Sequence, residues 1–207
     1  MSKRTVYVLD DDAAVLRSLE RLLQSANFEP VVFDRPDAFL MEARTFKAGC
    51  VLLDVRLPGT SGLEVQAQLL KMRSDLAIIV VTGQGDIQTA VRAMKAGAAD
   101  FLEKPYGDEA LLGSIEAAFG RETDFDIADA VRRVATLSTR EREVLDGLLA
   151  GRPNKLIAYD LGISVRTVEV HRARMMERLG LRQLSEVIRL GVMARLSVSP
   201  SANTRKS

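Results

Sequence analysis

Five short apolar runs, each passing straight into an acid, a hydroxyl or a lysine, constrain this chain more than any other feature. Val6-Tyr7-Val8-Leu9 runs into Asp10-Asp11-Asp12, Pro30-Val31-Val32-Phe33 into Asp34, and Cys50-Val51-Leu52-Leu53 into Asp54-Val55. Residues 77–81 end in Thr82, and Phe101-Leu102 leads to Glu103-Lys104-Pro105. Between the runs, apolar residues recur at helical spacing, first at Val15, Leu16, Leu19, Leu22 and Leu23, then over residues 37–44, 62–70, 87–96 and 108–119. Runs this apolar lack the alternation of a sheet with one wet face. Repeated strand–helix units therefore imply a parallel sheet covered on both sides. The expected fold of this half is an α/β doubly wound five-stranded parallel sheet. In such sheets ligands bind beyond the carboxyl ends of the strands, where the strand order reverses.

The residues that end the runs therefore carry the chemistry. Adjacent parallel strands lie about 4.8 Å apart, so Asp10, Asp11, Asp54, Thr82 and Lys104 can converge on one pocket. Three carboxylates at that range repel unless a cation sits among them. Mg²⁺ suits such a site, because it takes hard oxygen ligands and keeps waters that phosphate oxygens can replace. The Thr82 hydroxyl and the Lys104 ammonium complete a phosphoryl pocket, with Asp54 as the nucleophile of an aspartyl phosphate. Taken singly, any of these acids is more often a helix cap or a solvated loop residue, and Phe101 is most simply a core residue. Their succession at strand ends favours the functional reading. Asp10-x-Asp12 after the first strand also resembles the nucleophile motif of haloacid-dehalogenase-type phosphatases, in which Asp10 would carry the phosphate. That family needs a cap or a larger core that the residues beyond 120 do not resemble, and a short motif out of context is a weak warrant.

Leu9-Asp10-Asp11-Asp12, residues 53–59 (Leu-Asp-Val-Arg-Leu-Pro-Gly), Val81-Thr82-Gly83 and Leu102-Glu103-Lys104-Pro105 resemble the four signatures of response-regulator receiver domains. The resemblance implies that Asp54 accepts phosphate from a sensor histidine kinase. It implies that Asp10, Asp11, Asp54 and the backbone carbonyl of Arg56 hold Mg²⁺. It makes Thr82 the switch hydroxyl, Phe101 the switch aromatic, Lys104 the phosphate-binding lysine and Lys104-Pro105 a cis peptide. Phosphorylation would draw Thr82 inward and let Phe101 rotate into the vacated space. The face formed by residues 87–96 and 100–106, with Val91 and Lys95 near its centre, would then dimerise. Thr60 departs from the pattern, since many receivers carry a bulky apolar residue there.

Past residue 120 the pattern and the charge both change. Residues 1–120 hold 13 Lys/Arg against 17 Asp/Glu, whereas residues 121–207 hold 16 against 11. An acidic half joined to a basic half points to a metal or phosphate site in the first and nucleic acid for the second. Residues 121–135 keep a thin helical stripe of Ile127, Val131 and Val134, which predicts a helical linker. Ser138-Thr139-Arg140-Glu141 places a hydroxyl cap before an apolar helical face of Val144, Leu145, Leu148 and Leu149. Asn154 is expected to cap the next helix, with Leu156, Ile157 and Leu161 inward. Gly162-Ile163-Ser164 is a tight turn, and residues 165–179 form a third helix. Two helices about a glycine turn are a helix-turn-helix pattern, whose second helix enters the major groove. A charge-rich helix is more often merely solvated, but here the polar face follows directly on the turn.

Residues 137–145, Asn154-Lys155-Leu156-Ile157-Ala158 and Thr167-Val168-Glu169-Val170-His171 resemble the LuxR-type four-helix domain, and with the receiver the whole resembles the FixJ subclass of response regulators. The resemblance implies that Glu169, Val170 and Ala173 face bases. It assigns Lys155, Arg166, Thr167, His171 and Arg174 to phosphates or adjoining base edges. Residues 185–195 resemble the family's dimerisation helix, with Val187, Ile188, Leu190, Val192 and Met193 both docking and meeting a partner. Tyr159 replaces a smaller or charged residue, so the second helix is expected to pack unusually.

The expected organisation is a receiver over 1–120, a helical linker over 121–136, a helix-turn-helix domain over 137–196 and a disordered tail over 197–207. The expected function is a phosphorylation-dependent regulator that binds double-stranded promoter DNA as a homodimer and activates transcription with RNA polymerase. It would not be an enzyme in the ordinary sense. A module of the same build whose DNA binding ignores phosphorylation is the alternative. One cysteine suits a reducing cytosol, and no run approaches the roughly 18–20 apolar residues that span a bilayer, so the expected location is cytoplasmic, with no membrane partner.

Overall fold

The apolar runs form five parallel strands: β1 (Arg4–Leu9), β2 (Phe28–Phe33), β3 (Gly49–Asp54), β4 (Ala77–Thr82) and β5 (Asp100–Glu103). The computed structural model describes residues 3–72, 75–83, 87–120, 127–181 and 183–196. It divides the chain into two units, Met1–Arg121 and Glu122–Ser207. In the first unit the strand order is β2-β1-β3-β4-β5. Helices α1 (Ala13–Ser25), α2 (Pro36–Glu42), α3 (Gly62–Met72), α4 (Ile87–Lys95) and α5 (Asp108–Phe119) alternate with the strands. The order reverses between β1 and β3, which places the predicted crevice beyond Leu9 and Asp54.

Strand β2 starts two residues earlier than the run at Pro30 suggests. Pro30 pairs with Val6 inside the strand, which is tolerated because β2 is an edge strand and the missing N–H faces away from β1. The helix expected over 37–44 stops at Glu42 and tightens into a 3₁₀ turn, Ala43–Thr45.

The three central strands, β1, β3 and β4, are covered on both faces. Val6, Val8, Cys50, Leu52, Ala77 and Ile79 pack against Leu16, Leu19 and Leu23 of α1 and Leu111, Ile115 and Ala118 of α5. The single cysteine, Cys50, is fully buried in this layer. Elsewhere in the unit, Tyr7 stacks on Phe46 at 3.9 Å between ring centroids, and Phe39 meets Phe33 and Phe46 edge-on. Fully burying side chains of this size contributes about 1.5–3 kcal/mol each, which makes the sheet a rigid platform for its carboxyl-end loops. Val91, expected near the centre of an exposed α4 face, is instead buried. With Ala90, Ala93 and Met94 it forms the inward stripe, leaving Gln88, Arg92 and Lys95 outward.

The second unit is helical: α6 (Ile127–Ala135), α7 (Thr139–Leu149), α8 (Asn154–Leu161), α9 (Val165–Leu179) and α10 (Leu184–Leu196). The stretch read as a linker is helical from Ile127, and α6 packs on α10 within this unit, with Ala130 fully buried. Residues 121–126 and 197–207 lie outside the described residues, the predicted tail among them. Ser138 starts α7 with the predicted capping box: its hydroxyl accepts from the Glu141 amide, and the Glu141 carboxylate accepts from the Ser138 amide at 2.8 Å.

Three expectations for α8 fail. Pro153 rather than Asn154 is its N-cap residue, and Asn154 makes no capping bond. Leu156 faces outward at 44% exposure, while Ile157 and Ala158 are buried and Leu161 is half-buried. Tyr159 is 83% exposed, so it changes the surface and not the packing. Gly162 ends α8 with φ +64°, the left-handed conformation that glycine adopts without cost.

Candidate functional site

The sheet register assembles the acidic pocket. Leu9 pairs with Leu53, so Asp10 and Asp54 leave neighbouring strands one step further on. Thr82 ends β4 opposite Glu103, and the Lys104 amide continues that ladder to the Thr82 carbonyl at 2.8 Å. The carboxylates of Asp10, Asp11 and Asp54 offer oxygens within 4.8 Å of one another. Asp10 and Asp54 are buried, whereas Asp11 is exposed. Lys104 Nζ bridges the buried pair, 2.5 Å from Asp54 Oδ2 and 3.0 Å from Asp10 Oδ2. Burial alone would lower the lysine's pKa, but its hydrogen bonds to Asp54 and Asp10 outweigh that and raise it above the ordinary value.

The remaining atoms are also positioned. Asp54 Oδ1 accepts from the Arg56 amide at 3.0 Å, which orients the carboxylate. Thr82 is buried, and its hydroxyl donates to the Gly83 carbonyl at 3.0 Å. Phe101 is buried on β5. The Lys104–Pro105 peptide is cis. Asp12 is the N-cap of α1, its Oδ1 accepting from the Ala14 amide at 2.7 Å. The third acid of the Asp triplet thus stabilises the helix, whereas the phosphatase motif would need it in the chemistry.

Two contributors went unnoticed among the expected site residues. A Cβ on Gly62 would sit 2.1 Å from the Asp54 carbonyl oxygen, so only glycine lets the β3–α3 loop fold back on the end of β3. The Gly62 amide closes that loop on the Val55 carbonyl at 2.9 Å. Tyr106 lies within the field of the pocket: burial pushes its phenol's pKa up, Lys104 opposes this, and Asp10 and Asp54 reinforce it. The glycine was visible as part of a Pro-Gly-x-x-Gly spacing, but nothing in the sequence marked the tyrosine.

Oxygen donors this close, two of them buried, fit a small hard dication such as Mg²⁺. Asp10, Asp11 and Asp54 are the residues that could hold it.

In the second unit, Ser164 caps α9 by accepting from the Thr167 amide at 3.0 Å. The helix exposes Arg166, Glu169, Val170, Ala173 and Arg174, which fall on one face at helical spacing. Lys155 is exposed at the start of α8. Lys155, Arg166 and Arg174 make no hydrogen bond or ion pair with other described residues. Thr167 and His171 are half-buried flanking residues, and the Thr167 hydroxyl lies 2.8 Å from that of Ser164. On α10, Val187, Ile188 and Leu190 are fully buried within the unit, whereas Val192 and Met193 stay half-exposed. No described helix is long and apolar enough to cross a membrane.

Comparison with known proteins finds a relative for each unit. Residues 6–116 match the response regulator receiver domain, and residues 135–191 match the bacterial regulatory proteins of the luxR family. The chain is 44% identical to the transcriptional regulatory protein FixJ of Bradyrhizobium diazoefficiens, over 93% of this chain and 97% of that protein. It is 42% identical to FixJ of Rhizobium meliloti, over 93% and 97% respectively. The crystal structure of full-length FixJ from B. japonicum aligns with a TM-score of 0.56 at 43% identity, covering 95% of this chain and 99% of that one. With a receiver pocket in one unit and a LuxR-type helix-turn-helix in the other, the chain belongs to the FixJ-like response regulators, transcriptional regulators that pair these two domains.

Proposed function

We propose that Asp54 is the phospho-acceptor, that a sensor histidine kinase is its donor, and that the modified protein binds promoter DNA as a homodimer to activate transcription through RNA polymerase. The observation that carries this reading is the single ammonium of Lys104 held between the buried carboxylates of Asp10 and Asp54. An Asp54 oxygen attacks the phosphorus of the donor phosphohistidine. Its N–P bond breaks as the O–P bond forms, and the imidazole leaves with the electron pair and takes up a proton. Bound Mg²⁺ supplies positive charge that screens the carboxylates from the incoming phosphoryl group. Lys104 exchanges its Asp54 contact for a phosphoryl oxygen, and so stays paired throughout.

Thr82 connects this event to the rest of the receiver. Its hydroxyl rests on the Gly83 carbonyl and leaves it for a phosphoryl oxygen. Phe101 is already buried in this conformation, so the movement begins with Thr82, and repacking around Phe101 follows from it. The face that changes carries Arg92 and Lys95 of α4 with Glu103 of β5, all exposed. Opposite charges on one face suit a two-fold pairing of copies. In the second unit, Glu169, Val170 and Ala173 read base edges, while Arg166, Arg174 and Lys155 neutralise phosphates. Thr167 and His171 contact the backbone from the flank.

The test is phosphorylation of the full chain by a small acyl phosphate with Mg²⁺. Unmodified protein gains one hydroxylamine-labile phosphate, and Asp54→Asn gains none. A phosphate retained in Asp54→Asn, or one resistant to hydroxylamine, contradicts the assignment.

A further inference from the structure

Helix α9 carries its cations on two different sides. Arg166 and Arg174 share the exposed face with Glu169, Val170 and Ala173. Arg172 does not. It follows Val168 by four residues and precedes Met175 by three, and both are fully buried against the bundle. Positions three and four apart lie on one side of a helix, so Arg172 emerges on the bundle side. It is half-buried, and its Nη1 donates to Asn154 Oδ1 at 3.0 Å. Asn154 is the first residue of α8 and makes no capping bond of its own. Its side chain is thus committed to the neighbouring helix.

We infer that Arg172 is a positioning residue, which sets the angle of the recognition helix by tying α9 to the start of α8 and does not contact a DNA phosphate. This rests on the reading of α9 as the recognition helix. The two helices of the motif are also joined by a three-residue turn, residues 162–164, and by the packing of Ile157 and Ala158 against the bundle. A guanidinium on an amide oxygen is directional, and it sits at the opposite end of α8 from that turn. It therefore resists the hinge motion that the turn permits. Phosphate contacts set affinity for any duplex, whereas helix placement sets which base edges are met. Arg172 therefore belongs to sequence preference.

The experiment compares the full phosphorylated chain with Arg172→Met, Asn154→Ala and the double variant, using Arg174→Ala as the reference for a phosphate contact. The probes are a duplex selected from a random library by the unmutated protein and an unrelated duplex, each titrated across salt concentration. Arg172→Met and Asn154→Ala should each weaken binding to the selected duplex by roughly three- to tenfold, the range for one hydrogen bond to a charged group. The double variant should be no worse than Arg172→Met alone, since the contact the two residues share is already lost in it. Binding to the unrelated duplex and the salt slope should stay unchanged, whereas Arg174→Ala should lower the slope by about 0.9. Asn154→Ala removes a small amide at a half-buried first-turn position, so it reports even if Arg172→Met unfolds.

The inference is overturned if Asn154→Ala binds like the unmutated protein. It is equally overturned if Arg172→Met lowers the salt slope by about 0.9 and weakens both duplexes alike. If the unmutated protein retrieves no common sequence from the library, the reading of α9 itself falls, and the inference with it.

Discussion

Lys104 Nζ lies 2.5 Å from Asp54 Oδ2, and the same ammonium reaches Asp10 Oδ2 at 3.0 Å. One cation from the end of β5 therefore compensates two buried carboxylates from the ends of β1 and β3. Replacing it by methionine leaves both anions facing each other without a counter-charge. Lys104→Met should unfold more easily in chelator by about 1–2 kcal/mol, because the lysine is partly exposed and its pairing partly screened. Mg²⁺ should recover most of that loss. Denaturant melts with and without Mg²⁺ measure both quantities, and a variant as stable as the unmutated protein in chelator would show that the bridge is inconsequential.

Two glycine substitutions should act in opposite directions. Gly62→Ala forces a Cβ to within 2.1 Å of the Asp54 carbonyl oxygen, and should destabilise the receiver by about 1–3 kcal/mol while slowing phosphorylation. Gly113→Ala in α5 meets nothing within 4 Å, and should stabilise it by about 0.5–1 kcal/mol. Thermal melts of the two variants give the signs directly.

Glu141 predicts a pH dependence confined to the second unit. Burial would raise the pKa of its carboxyl, but the Ser138 amide and hydroxyl and then Arg178, whose Nε lies 3.0 Å away, together lower it below the ordinary value of 4.5. A carboxylate with a depressed folded pKa contributes its stability above the unfolded pKa and loses it as pH falls through the folded one. Stability should therefore decline on acidification below about 4.5 in part through this group. Glu141→Gln should cost about 1–2 kcal/mol at neutral pH and flatten that part of the profile, as melts of the second unit's helices across pH would record.

Arg166 and Arg174 make no ion pair with other described residues and stand on the exposed face of α9. Each replacement by alanine should lower the salt slope of DNA binding by about 0.9. Val170→Ala should leave the slope unchanged and alter the preferred sequence, since an apolar contact in the groove carries choice and no charge. Titration against matched and mismatched duplexes separates the two effects.

The receiver was largely legible because its chemistry lies at strand ends, and strand ends can be read from where apolar runs stop. Asp10, Asp54 and Lys104 meet for that reason, whereas the order of the strands comes from the structure alone. What was not legible depended on which way a helix turns its residues. Val91 was placed outward and lies inward, because a stripe of Ala90, Val91, Ala93 and Met94 defines the buried side of α4 only once the sheet beneath it is known. In α8 the apolar Leu156 faces solvent, because the buried side of this short helix is set by Ile157 and Ala158. Asn154 looked like a cap by residue type, but Pro153 already supplies the extended entry into the helix, and the amide serves Arg172 instead. Tertiary demand overrode local preference in each of these cases.

DNA binding by the full chain, with and without an acyl phosphate and Mg²⁺, for the unmutated protein and Asp54→Asn, decides whether phosphate on Asp54 controls the second unit. The structure predicts tighter binding on phosphorylation of the unmutated protein alone, with Asp54→Asn held at the resting affinity in both conditions. Equal binding in all four samples would contradict the account, leaving a DNA-binding unit that the receiver does not control.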